Sequence, residues 1–156
     1  MFVKYLTRTC AVLLAALMLS ACENTMKDYR EPFLGDYTFV SKGSVDMYDG
    51  ATKLISIPMN EMGTLSILPG DDLNHVWVVA EGDSTLARVS DNELFMDPTT
   101  DVSKFGEVVM ELSFTYGTAT LEGDRLSFVT DVTVKATYQS QSLYGTGEVE
   151  IVATKK

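Results

Sequence analysis

The side chains with reactive chemistry in this chain of 156 residues are few: two cysteines, one histidine and one tryptophan, against 22 acids. Cys10 and Cys22 lie near the start, and no other thiol is present to pair with His75. A lone histidine cannot assemble a multi-histidine metal site. His75 stands two residues before Trp77 and four before Val79, on one face of an extended segment. It reads as a surface or rim residue, with contact to a ligand as the alternative. Trp77 reads as a core side chain or as a wall of a ligand cavity, because Val76, Val78 and Ala80 make the other face apolar as well. Asp91, Glu93, Asp97 and Asp101 form the densest acidic run. Calcium takes several oxygens at close range, but this spacing lacks the glycine of the helix-loop-helix calcium loop. A solvated acidic loop is the expectation. Gly145-Thr146-Gly147 is too short to cradle a phosphate. No Gly-x-Ser-x-Gly elbow and no nucleophile–base pair stand out, and no carboxylate spacing recommends a hydrolytic pair. The chain is therefore expected to be no enzyme and to hold no cofactor and no metal.

Charge narrows the partners. The formal net charge is −10 at neutral pH. Such a chain repels phosphates, so no nucleic acid is expected. The same charge disfavours docking on anionic headgroups. The leading segment carries Lys4 and Arg8, then an apolar run over 11–19, then the small residues Ser20 and Ala21. That layout is a secretory signal. Without residues 1–21 the net charge falls to −12 and 135 residues remain, enough for one domain with a real core. Cys10 would leave with the signal, so no disulfide is expected.

Leu19-Ser20-Ala21-Cys22 resembles the lipobox of bacterial lipoproteins: an aliphatic residue, two small residues, then cysteine. The resemblance implies cleavage after Ala21, diacylglycerol on the Cys22 sulfur and an acylated amino terminus. The membrane is then held through acyl chains, each buried methylene contributing about 0.8 kcal/mol. Glu23 directly after Cys22, instead of Asp, is similar to sorting to the outer membrane of a Gram-negative bacterium. Residues 22–31 are polar and read as a tether. Residues 32–156 read as the folded domain.

That domain is β throughout. Val, Thr, Tyr and Phe are frequent, and turn residues recur at short intervals. A first strand is expected to start over 35–40, with a hairpin turn at Asp49-Gly50, where both positions suit positive φ. Further strands are expected over 53–57, 63–68, 74–80, 85–90, 93–96, 108–116 and 118–122, and over long stretches after Arg125. Residues 97–105 read as a connection. Val108, Met110, Leu112, Phe114 and Tyr116 share one face of their strand, with Glu111 and Thr115 on the other. Leu126, Phe128, Val132, Val134 and Ala136 repeat the pattern, as do Val149, Ile151 and Ala153. One-sided alternation means an antiparallel sheet with one buried face. Sequential hairpins favour an antiparallel meander of about eight to ten strands closed into a barrel, which removes exposed edges.

Phe33-Leu34-Gly35-Asp36-Tyr37, an aromatic residue before Gly-x-Tyr, resembles the opening of lipocalin-like or calycin-like domains. Tyr37 takes the place of the lipocalin Trp. The Arg that packs on that Trp from the last strand is absent, and Lys155 stands nearest to its place. The looser calycin-like barrel is therefore the reading. The resemblance implies a small apolar ligand. The inward faces by alternation give Tyr37, Phe39, Met110, Leu112, Phe114, Phe128 and Val132 as candidate ligand-binding residues, with Trp77 beside them. Met47, Met59 and Met62 suit an adaptable apolar mouth or ordinary packing. The alternative function is an accessory subunit of an envelope complex, with a solid core and an apolar patch outside. Oligomeric state is not set by these features.

Overall fold

The computed structural model describes residues 26–139 and 141–156. Cys22 and the signal segment lie outside the described residues. Eleven strands follow in order: β1 Gly35–Asp49, β2 Thr52–Pro58, β3 Met62–Pro69, β4 His75–Ala80, β5 Asp83–Ser90, β6 Glu93–Met96, β7 Thr99–Phe105, β8 Val108–Tyr116, β9 Ala119–Glu122, β10 Arg125–Tyr138 and β11 Gln141–Lys155. There is no helix among the described residues.

Eight strands close an antiparallel barrel in the order β11-β1-β3-β4-β5-β6-β9-β10, with β10 pairing back onto β11. The all-β barrel expected from alternation is thus present. Its meander is interrupted. The hairpin β7–β8 leaves the ring between β6 and β9, and β8 pairs with the far half of β10. Residues 97–105 are therefore largely strand β7 and not a connection.

Three strands are long. At 14 or 15 residues, β1, β10 and β11 each span about 50 Å. Their lower halves belong to the ring. Their upper halves run past it and carry β2 on one side and β8–β7 on the other. The result is a barrel with a flared sheet, β2-β1-β11-β10-β8-β7, rising from one side of its rim.

Two glycines let the long strands approach. A Cβ on Gly147 would lie 2.8 Å from the Cα of Val45, and one on Gly145 would strike the Met47 sulfur and sit 2.9 Å from the Val45 side chain. Val45 and Met47 fill that space and pack with Val132 and Val149 as a small second core. The main core fills the barrel's lower end with Phe33, Tyr37, Ile67, Val76, Val89, Leu94 and Leu126. Apolar burial on this scale stabilises by about 25 cal/mol per Å² removed from water.

The lower end is plugged by the chain's own approach. Tyr37 is fully buried, and its hydroxyl donates to the Phe33 carbonyl at 2.7 Å. Burial pushes the Tyr37 phenol up from its ordinary value, with the Asp124 carboxylate adding to the shift. Lys155 is paired with Tyr37 across β1–β11, holds its ammonium 6.0 Å from the ring centroid and donates to the Pro32 carbonyl at 3.2 Å. The expected tether is partly docked on this end. The Tyr29 amide donates to the Leu73 carbonyl, and the Arg30 guanidinium donates to the Gly70 carbonyl and both Asp28 oxygens. Lys27 reaches Asp91 at 2.7 Å.

Candidate functional site

The opposite end of the barrel is open. Residues pointing inward there are mainly apolar by strand parity, with Ser41, Thr85 and Thr130 among them, and above the main core they leave a space between them. A cavity of about 730 Å³ remains. That lies within the usual range of about 300–1,000 Å³ for small-molecule sites. Phe39 on β1, Leu65 on β3, Val78 on β4, Phe128 on β10 and Ile151 on β11 line it, with Leu112, Phe114 and Tyr116 on β8. Phe114 and Tyr116 stack with centroids 6.2 Å apart, and Tyr116 meets Phe128 edge-on at 6.3 Å. Such aromatic pairs hold each other in place beyond their area alone. The Tyr116 hydroxyl shares a 3.0 Å hydrogen bond with Thr99, which ties the first residue of β7 to the wall.

Two buried hydroxyls secure the rest. Ser41 donates to the Met59 carbonyl at 3.0 Å and accepts from the Glu61 amide at 2.9 Å. The backbones of Ser41 and Gly43 bond to Glu61 and Met59 as well. The link between β2 and β3 is thereby fixed at the mouth. Thr130 donates to the Thr115 carbonyl at 3.2 Å, which holds the end of β8 against β10. Buried polar groups of this kind are costly unless paired, and both are paired.

The expected lining residues separate into four groups. Phe39, Leu112, Phe114 and Phe128 face the cavity. Tyr37 does not. It shares the inward parity of Phe39 but sits lower, under the plug, sealed by Phe33 and Lys155. Val132 and Met110 also point inward, but on the upper halves of their strands. Val132 is fully buried in the second core, and Met110 lies beyond the cavity on the flared sheet. Trp77 points the other way. It is paired with Leu68 and Leu86 on the outer face and is 37% exposed, because ring closure turns Val76, Val78 and Ala80 inward. His75 shares that outer face and bonds Asp72 at 2.7 Å, a contact that lowers the Asp72 carboxyl, with the Asn74 amide as a second cause.

Met59 lines the mouth, Met47 is core, and Met62 is outside and exposed. The acidic run is split. Asp91 and Glu93 flank the β5–β6 turn at the plugged end, whereas Asp101 lies on β7 at the cavity. Tyr116 and Ile151 were not singled out as lining residues. Both continue alternations already visible, Tyr116 two positions after Phe114 and Ile151 two after Val149.

No family model matches the chain, and no curated protein is significantly similar to it.

Proposed function

We propose that this protein is a non-enzymatic, lipid-anchored component of a bacterial cell envelope that holds a small apolar ligand in its barrel. The observation that carries the binding reading is the open cavity of about 730 Å³ with its packed aromatic wall. A barrel serving only as a scaffold needs no such void, since interiors otherwise pack to crystal-like density. The lipobox-like Leu19-Ser20-Ala21-Cys22 supports the anchor. The Tyr37–Lys155 pair at the closed end supports kinship with calycin-like barrels.

Anchor and mouth lie at opposite ends in this reading. Met26 to Phe33 leads to the plugged end, and Cys22 is only four residues before Met26. Four extended residues reach at most about 14 Å. The cavity of the anchored protein therefore opens away from the bilayer that holds it, and its ligand is taken from the space beyond.

Native mass spectrometry of protein purified from its own envelope tests the binding reading. A retained small molecule is expected, and it should be lost from a Phe114→Ala variant that keeps its fold. Protein that carries nothing, and whose Phe114→Ala variant accepts the same probes as the parent, removes the reading. Metabolic labelling with an alkyne fatty acid tests the anchor: the parent should be marked and Cys22→Ser should not.

A further inference from the structure

We infer that the ligand of this cavity is an apolar molecule with a positively charged head, held with its tail among the aromatic side chains and its charge at the mouth. The inference rests on the binding role proposed above and names the chemistry of the molecule bound.

Every charged side chain that lines the cavity is an acid. Glu61 stands on the link between β2 and β3, Glu81 and Asp83 at the β4–β5 turn, and Asp101 on β7. All four are exposed, so they stand at the opening and not on the floor. The ion pairs of the described residues use Asp28, Asp46, Asp72 and Asp91 instead. Three separate elements thus present carboxylates to one opening. Glu61 is held there by its amide, which donates to the Ser41 hydroxyl, and by its carbonyl, which accepts from the Ser41 amide, while Glu81 and Gly82 make the β4–β5 turn with positive φ.

The two buried hydroxyls of the inner wall offer an anion nothing in exchange. The buried hydroxyls of Ser41 and Thr130 donate to the carbonyls of Met59 and Thr115, so neither proton is available to a carboxylate or phosphate. A fatty acid would find these two donors spent, and the remaining hydroxyls of the lining, on Ser84, Thr85, Thr99, Thr100 and Tyr116, share the cavity with four carboxylates that repel it. An ammonium or guanidinium group on an apolar body meets favourable charge at the mouth, which low-dielectric walls concentrate.

Three probes with one ten-carbon chain test this: decyltrimethylammonium, decanol and decanoate, each titrated calorimetrically into the purified full-length protein. The cation should bind about tenfold tighter than the alcohol, the sum of several exposed ion pairs. Decanoate should bind more weakly than either. Raising the salt from about 0.01 M to 0.1 M, which shortens the Debye length from about 30 Å to 10 Å, should narrow the gap by weakening the cation and strengthening decanoate, with decanol unchanged. The triple variant Glu81→Gln, Asp83→Asn, Asp101→Asn should bring the three affinities together without changing that for decanol. Equal binding of the three probes by the parent, or a preference that survives both salt and the triple variant, overturns the cationic head and leaves the apolar cavity standing. Failure of all three to bind overturns both.

Discussion

The three long strands pass through two surroundings, and the contrast separates what strand propensity does from what closure does. In the ring, β1, β10 and β11 have neighbours all the way round, and side chains such as Tyr37, Leu126 and Ala153 are removed from water. In the flare the same strands continue with the same alternation, but the sheet ends at β2 and β7. Ile55 and Ile57 share the inward parity of Met47 and Val45, yet Ile55 is 58% exposed. Phe105 ends β7 at 62% exposed. The residue types of β2, with Leu54, Ile55 and Ile57, are as apolar as those of the ring strands. A sheet face becomes a core only where a second face is brought against it.

The largest effect that can break this contrast is a pair of truncations. Phe33→Ala at the plug should cost about 3–5 kcal/mol, and Ile57→Ala on the flare should cost less than about 1 kcal/mol, both read from denaturant midpoints. Equal losses would mean that the flare is covered in solution. Next is the junction. Gly147→Ala places a methyl against the backbone of β1 and should destabilise by about 1–3 kcal/mol, with the second core loosening before the first. Amide exchange resolved by residue would show that order, and loss of the lower core first would contradict it.

A smaller effect sharpens the lower end. The Arg30 side chain beside Asp28 holds that carboxyl at about 2, with the Arg30 amide as the second cause. Its folded pKa is depressed, so its contribution to docking the strap is present above the ordinary carboxylate range. That contribution is lost as pH falls through about 2. The protection of the Tyr29 amide, taken relative to its intrinsic exchange rate, should fall over that interval and stay constant at higher pH. Asp28→Asn should show the lower protection already at neutral pH. The smallest effect is expected at Trp77. Trp77→Phe should change stability by no more than about 0.5 kcal/mol and leave ligand affinity unaltered, since the ring faces outward. Quenching of Trp77 emission by a cavity ligand would contradict this placement.

Where alternation is one-sided, the sequence sufficed. The inward faces of β8, β10 and β11 are legible residue by residue, and four of the cavity's aromatic and aliphatic walls follow from them and from Phe39. Strand β7 was not legible, because Thr99, Thr100, Asp101, Ser103 and Lys104 carry no apolar period. It is a strand because β8 offers a free side to pair with. The hairpin turn at Asp49-Gly50 was legible, and β1 runs unbroken into it through Gly43 and Ser44. Here Gly43 is needed where the backbone of β11 comes close. Trp77 was ambiguous because both faces of β4 are apolar, and only the sense of ring closure decides between them. Height along a strand was the other missing quantity. Parity puts Tyr37, Phe39 and Val132 on one side, but it does not say which of them lies under the plug, in the void or above it.

The two free margins of the flare differ from each other. One is β2, with Leu54, Ile55 and Ile57; the other is β7, with Asp101, Val102 and Lys104. Two unlike margins on one sheet cannot satisfy each other within a single dyad-related pair. Joined margin to margin, copies would add head to tail, as a ring where the rotation between them closes and as a filament where it does not. Pro58 removes a donor at the end of β2, while Lys53 of β2 and Lys104 of β7 place charge on the strands that would have to meet. The flare beside the mouth thus leaves two strand edges open to pairing between copies, and Pro58, Lys53 and Lys104 stand on those edges where they disfavour it.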